Sequence, residues 1–497
     1  MKQYDAIIIG GGLGGLVTAA MLSKEGLHVC VLEQHKVIGG CLQSFEREGY
    51  VLDTGMHYIG SMSKGQVLYQ YFKYLGIVDS LRMRKLDENG FDHFHFLDGT
   101  HYCHAMGYEH FIDNLAESFP NERANIEAIS RRIKALGNLI SPSILKEGRI
   151  SDSGMEYMCM SAYKEIANHI KDEKLRNVLA GNCGLFAGNR WKTSMYEYGM
   201  ITYSNIESAY AFVGGSQQLA DLLVRQIHAN GGDVRLNTKV TKMILEDDKV
   251  ASVMLASGEK VKAKWVISSL HPALTFSMLE NNKVYKKAFF TRINSLENTY
   301  GLFTTYLLMK PNTWKYVNQN HYLFNNPDVW SVEGDFKGYN IPSTLFCMQP
   351  SADSEYTKLI TLLTPMPFSQ YERWMNTMVG KRGDEYVEFK ENFSEAVIDF
   401  VSLYYPDLRN GIIKKYTASP LTYRDYTGTP MGSAYGIVKD CQNPLVTLFP
   451  AKTRINNLLL TGQNLNIHGC LGTTISAAIT CAEILGMSYM AKAIGNA

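Results

Sequence analysis

A short apolar run, Ala6-Ile7-Ile8-Ile9, leads straight into Gly10-Gly11-Gly12-Leu13-Gly14-Gly15, and an apolar-periodic segment carrying Leu16, Val17, Ala20 and Met21 follows before Gly26. A strand, a glycine turn and a helix in that order make a βα unit whose turn holds G-x-G-x-x-G at Gly10, Gly12 and Gly15. The roles are steric and electrostatic: Gly10 permits the tight turn, Gly12 lets a pyrophosphate approach the backbone, and Gly15 lets helix and strand pack closely. The helix N-terminus then faces the anion. Val29 to Leu32 reads as a second strand ending in Glu33, an acid placed to accept hydrogen bonds from both ribose hydroxyls and to repel a 2′-phosphate. The unit predicts a dinucleotide-binding α/β fold. By itself it leaves FAD and NAD equally open.

Composition narrows the partners. Lys+Arg 49 against Asp+Glu 48 leaves a formal charge of +1 over 497 residues, so no global field draws in nucleic acid. The nine cysteines are scattered with no Cys-x-x-Cys pair, which reads as reduced thiols in a cytosolic chain. Met1 to Asp5 enters the first strand without a signal-peptide core. No stretch approaches the roughly 18 to 20 apolar residues that span a bilayer, so any membrane contact is expected to be peripheral.

Beyond the first unit come Gly39-Gly40-Cys41-Leu42-Gln43-Ser44-Phe45 and Asp53-Thr54-Gly55-Met56-His57-Tyr58-Ile59-Gly60. Later segments are Asn205-Ile206-Glu207-Ser208-Ala209-Tyr210-Ala211-Phe212-Val213-Gly214-Gly215-Ser216, a helical run from Gln217 to about Ala229, and Gly231 to Val240, which alternates as one strand. Turns at Asp247-Asp248 and Ser257-Gly258 lead to a strand from Trp265 to Ser268. Near the end stand Leu458-Leu459-Leu460-Thr461-Gly462-Gln463 and Gly469-Cys470-Leu471-Gly472-Thr473-Thr474, then a helical run through Ile484.

Together these segments resemble the flavoprotein superfamily of amine oxidases, phytoene desaturases, carotenoid isomerases and retinol saturase, most closely its saturase and carotenoid-isomerase branch. Amine oxidases usually carry Arg after the second glycine pair; this chain has Cys41. The resemblance implies FAD, bound by Gly10, Gly12, Gly15, Glu33, Gly40, Ser44, Gly55, Val240, Gly462, Gln463, Gly472 and Thr473. It also implies that the final helix aims its N-terminus at the flavin ring, where negative charge develops on reduction. NADH or NADPH stays open as electron donor, since no second G-x-G-x-x-G follows a strand. The expected architecture is a Rossmann-like FAD-binding domain of the glutathione-reductase and amine-oxidase kind, discontinuous over 1–80, 205–275 and 440–497, with an α+β substrate domain from 81–204 and 276–439.

The substrate segments are rich in aromatics and methionine, and Pro342 to Phe368, with Met348, Met366 and Phe368, suits a sheet beside an apolar cavity as well as plain core packing. Tyr435, within Pro430-Met431-Gly432-Ser433-Ala434-Tyr435-Gly436, reads as a flavin wall or proton donor. His57 and His468, inside or beside flavin motifs, are candidate acids or bases, with hydrogen bonding alone as the plainer role. Asp98-Gly99 reads as a two-residue hairpin that pairs Leu97 with Thr100 and sets His93 opposite His104 and His95 opposite Tyr102. No carboxylate or thiolate joins that face, so no metal is expected. The leading functional reading is an FAD-dependent saturase, desaturase or isomerase of carbon-carbon double bonds in a long apolar polyene or isoprenoid. A flavin amine oxidase and a non-catalytic lipid-binding escort protein on the same fold are the alternatives.

Overall fold

The apolar run after Tyr4 forms the strand Gln3–Ile9, buried along Ala6 to Ile9 as a strand inside a parallel sheet must be. In the computed structural model, which describes residues 3–140, 152–331, 339–351 and 354–497, it is followed by the helix Leu13–Lys24 and the strand Val29–Leu32. Met1, Lys2 and, within the Pro342 to Phe368 stretch, Ala352 and Asp353 lie outside the described residues. Gln3–Ile9 pairs in parallel with Val29–Leu32 on one side and Lys260–Ser268 on the other. Asp233–Arg235 adds beyond Val29–Leu32, and Leu458–Leu460 beyond Lys260–Ser268. One parallel sheet thus takes strands from the first, middle and last parts of the chain.

That sheet is covered on both faces. Ala6, Ile8, Val29 and Val31 pack under the helices Leu13–Lys24, Gln217–Ala229 and Gly469–Leu485. Ile7, Ile9, Cys30 and Leu32 pack on the other face, against the meander Val240–Glu246, Lys249–Leu255 and Lys260–Ser268. Its turns fall at the two sites read from the sequence, with Asp247 at φ 51 and Gly258 at φ 86. The helices Pro272–Ser277 and Lys287–Asn294 join this second core, so the packing of this lobe extends past 275. The single strand expected from Gly231 to Val240 is broken. Asp233–Arg235 ends, Asn237 turns at φ 51, and Thr238 donates its N–H to the carbonyl of Glu33, which swings Val240 into a new strand.

A second sheet runs Ile412–Ala418, Gly301–Met309, Leu359–Met366, Ser343–Met348, Asn320–Phe324, Asp92–Phe96, His101–His104. It is antiparallel except between Asn320–Phe324 and Asp92–Phe96. Strand alternation splits its side chains. Phe303, Leu307, Phe346 and Leu362 face the helix Asp384–Ser402, which buries Tyr386, Phe389, Phe393, Val397 and Val401 at helical spacing. Met348 and Met366 belong to that helix-covered core, with Phe368 packed against it, so packing is their role.

The Asp98-Gly99 hairpin has a different register from the one expected. Phe96 donates to the carbonyl of Thr100, His93 faces Cys103, and His95 faces His101. A two-residue I′ turn needs positive φ at both centres; only Gly99 has it, at 81°, so the chain adopts a three-residue loop. His104 consequently lies on the opposite face, fully buried against Phe94. Among the described residues no helix is long and apolar enough to cross a membrane.

Gly15 and Gly12 separate packing from cavity space. A Cβ on Gly15 would fall 2.1 Å from the carbonyl oxygen of Gly10, itself at φ 98, whereas one on Gly12 meets nothing within 4 Å. Gly15→Ala is therefore expected to cost about 1–3 kcal/mol or more through overpacking. Gly12→Ala should stay within about 1 kcal/mol of the parent. Thermal unfolding of the two variants side by side checks the contrast.

Candidate active site

At the C-terminal ends of the parallel strands lies a cavity of about 700 Å³. Its wall includes Gly10, Gly12, Glu33 and Gly40 from the N-terminal segment, together with Gly55 and Val240. Gly462, Gln463 and Thr473 reach it from the last segment. Glu33, 7% exposed, accepts hydrogen bonds from the backbone N–H groups of Gly11 at 2.7 Å and His35 at 2.8 Å. Each carboxylate oxygen keeps further acceptor capacity. No side chain caps the helix Leu13–Lys24 and no acid stands in its first turn, so its positive end is left to an anion. Gly39 is bridged to Gly12, which brings the second glycine pair against the first. Cys41 also lines the cavity, and burial pushes its thiol up to about 11. It is a neutral group where an arginine would have brought charge.

Three expected cofactor residues lie elsewhere. Gly15 is beneath the glycine loop, packed on Gly10. Ser44 is not in the cavity wall: its hydroxyl donates to Asp53 Oδ1 at 2.6 Å, and the same carboxylate accepts from the Ser216 N–H at 2.8 Å. Ser44 thus braces the motif that carries Gly55. Gly472 lines a second, inner cavity, where a Cβ would fall 2.2 Å from Ile467 Cγ2.

That inner cavity, about 170 Å³, is walled by apolar side chains including Ile59, Met200, Phe324, Leu345 and Leu363. Gly55, Met56, Leu302, Tyr435 and Gly469 line both cavities and mark their junction. His57, Tyr435 and His468, far apart in sequence, all line the inner one. Burial lowers the pKa of His57, against the pull of Asp53, and its Nε2 has no partner among the described residues. Tyr435 donates its hydroxyl to the carbonyl of Gly184 at 3.2 Å, and burial raises its phenol. Its ring stacks on His468 with centroids 4.3 Å apart.

Residues with no local motif complete the surroundings. Glu197, in the first turn of the helix Met195–Glu207, accepts from His468 Nε2 at 3.0 Å. Buried Lys439 donates to the carbonyls of Thr447, Asn464 and Leu465. Tyr58 and Tyr322, which line the same cavity, share a hydrogen bond of 2.7 Å. Tyr58 also donates to Asp92, which accepts from Asn320 Nδ2 at 3.0 Å. Nothing in the spacing around Glu197, Asp92 or Lys439 marks them, because their partners are distant in sequence.

The strand histidines form a stack of His93, His95, His101 and His321, with His95 Nε2 3.0 Å from His321 Nδ1. Burial lowers His95 to about 4 and His321 to about 3, so both are neutral near pH 7. Among the described residues no group of three or more His, Cys, Asp or Glu side chains converges to hold a metal ion.

Asp92 gives a pH test of this wall. Burial raises its carboxyl from 3.8 to about 7, against the hydrogen bonds from Asn320 and Tyr58. A raised carboxyl binds its proton more tightly in the folded state, so its stabilisation is full below 3.8 and is lost as pH rises through about 7. Asp92→Asn should remove that dependence. The stability of the variant relative to the parent is expected to rise between pH 4 and 7 by on the order of 2–4 kcal/mol, as read by denaturant unfolding across pH.

A sequence profile of flavin-containing amine oxidoreductases matches residues 13–484. The all-trans-retinol 13,14-reductase of Danio rerio is 26% identical, over 97% of this chain and 86% of that protein. A chloroplastic prolycopene isomerase of an Oncidium hybrid cultivar is 25% identical, over 93% and 80%. Among solved structures, an oxidoreductase from Methanosarcina mazei superposes with a TM-score of 0.63 at 18% identity, covering 96% of this chain and 99% of that one.

Proposed function

The chain belongs to the flavin-containing amine oxidoreductase family, and from that premise we propose that it is an FAD-dependent oxidoreductase acting on carbon-carbon double bonds of a long apolar polyene or isoprenoid. The observation that carries the substrate class is the inner wall. Among the described residues lining that cavity there is no Asp, Glu, Lys or Arg. A protonated amine would find no carboxylate there, and burying it unpaired is costly. Relatives named for retinol and prolycopene chemistry support the same reading, as does Cys41.

The residues present fit FAD. Gly12 leaves room for a pyrophosphate at the open helix end, Glu33 is placed to receive ribose hydroxyls, and Val240 bounds the cavity beside them. Gly462, Gln463 and Thr473 would hold the part nearer the junction. Bound FAD supplies hydride transfer. The protein's part is to orient the alkene at the junction, to exclude water with the apolar wall, and to place His57, His468 and Tyr435 where a proton is taken or given. We assign 1–80, 205–275 and 440–497 to the FAD-binding domain and 81–204 with 276–439 to the substrate domain; the two separate sheets support the division with the boundary at 275 moved past Asn294, because Leu279–Glu280 pairs with Val240–Glu246 and the helix Lys287–Asn294 packs in the first lobe. For saturation the proposed electron donor is NADH or NADPH. An apolar substrate also favours peripheral contact with a membrane.

Purified protein should be yellow, and Glu33→Ala should weaken FAD binding about tenfold, the loss expected for a charge-assisted hydrogen bond. Unchanged flavin occupancy would remove Glu33 from the ribose site. Anaerobic titration separates the reactions: bleaching by NADH or NADPH marks a reductase, bleaching by a polyene marks a desaturase. Bleaching by amines with peroxide release on return of air would replace this reading with amine oxidation.

A further inference from the structure

The buried pair of His468 and Glu197 has a definite chemistry. His468 is 3% exposed and Glu197 5%. His468 Nε2 lies 3.0 Å from Glu197 Oε1, while its Nδ1 is buried with no hydrogen-bond partner among the described residues. A carboxylate can only accept from a neutral imidazole, so the proton of that bond belongs on Nε2 and the lone pair falls on Nδ1. The stacked ring of Tyr435 covers one face of the imidazole.

We propose that Glu197 is a positioning residue that fixes His468 as the Nε2–H tautomer and leaves Nδ1 as the basic atom of a side chain in the inner-cavity wall.

The surroundings hold Glu197 in place. Its N–H donates to Ser194 Oγ at 3.1 Å, the N-cap of its helix, so the carboxylate stands in the first turn where the helix end favours negative charge. Lys439 supplies an opposite charge nearby. Its ammonium is held by three backbone carbonyls, two of them from Asn464 and Leu465 in the loop that leads to His468. Glu197 favours the charged lysine, while burial pulls Lys439 down to about 8. A proton arriving at Nδ1 makes an imidazolium whose charge Glu197 compensates directly. The step is a plain proton transfer: Nδ1 gains the proton that its donor in the cavity loses.

Glu197 from the helix Met195–Glu207 and Tyr435 from the segment before the last strand contact His468, and His57, Tyr58, Cys183, Tyr322 and Cys470 line the same cavity. Burial raises the Tyr435, Tyr58 and Tyr322 phenols and the Cys183 and Cys470 thiols, and these stay neutral at ordinary pH.

The test uses the full-length flavoprotein with ¹⁵N-labelled histidine, His468→Gln identifying its signals among the 13 histidines. Long-range ¹H–¹⁵N spectra of the parent should show Nε2 protonated. Glu197→Gln, whose amide can donate as well as accept, should release the preference and bring an Nδ1–H population into the spectra. Glu197→Asp should keep Nε2–H. A parent His468 protonated on Nδ1 when neutral overturns the proposal. An unchanged tautomer in folded Glu197→Gln overturns it too. The NMR readout stands apart from the polyene reading. Where turnover is seen, Glu197→Gln should lower kcat with KM retained, and failure to turn over any polyene would count against the substrate reading alone.

Discussion

The structure depends on how closely two stretches of bare backbone approach at the ends of the parallel strands. A Cβ on Gly14 would fall 2.6 Å from Gly462 Cα, so the first turn of the helix Leu13–Lys24 and the loop after the last strand are in direct contact. Thr18 and Thr461 share a hydrogen bond of 3.0 Å beside this point, and Thr480 donates to the carbonyl of Leu460. Two helices, Leu13–Lys24 and Gly469–Leu485, are thereby packed side by side with their N-terminal ends at one crevice, the position where open α/β sheets bind ligands. Any side chain at the contact would wedge these elements apart. Everything between residues 25 and 457 must leave this centre and return to it.

The parts legible in the sequence are those in which neighbouring residues determine the outcome. Val29–Leu32 and Gln217–Ala229 have the bounds their patterns suggest, because a buried run between turns and an apolar stripe at helical spacing are local properties. The same holds for the meander turns. The failures share a cause. The hairpin register turns on whether Asp98 adopts positive φ, and its side chain instead accepts the N–H of Thr100 in the alternative loop. The strand from Gly231 breaks because residues near 238 are tied to Glu33, about two hundred positions away in the chain. Ser44 lies in a flavin-family motif, yet its hydroxyl is used by Asp53.

The site was legible only on its nucleotide side. Binding a pyrophosphate needs backbone and glycine, which leave a spacing signature. An apolar cavity needs only that many side chains be uncharged, and no spacing records that. His57, Tyr435 and His468 could be singled out through the motifs around them, whereas Glu197 could not. It is 271 residues from His468, on a helix whose sequence, Met-Tyr-Glu-Tyr-Gly, shows no apolar face to separate the acid from its neighbours.

The near-neutral charge of the chain acquires a physical meaning at the inner cavity. Ionisable groups are present close by, but outside the wall: Glu197 beside His468, Lys439 on the loop that leads to it, and Asp92 beside Tyr58, its carboxyl raised by burial to about 7. Moving any of them into the wall would set a charge in apolar surroundings, at a desolvation cost of several kcal/mol. Leaving the two carboxyl groups out would remove the acceptors that orient the His468 imidazole and the Tyr58 phenol. The arrangement resolves that conflict by letting an imidazole and a phenol touch the cavity while each hydrogen-bonds a carboxyl group outside it. A dry pocket can then still move a proton, because the charge that would appear on His468 is already matched by one in place.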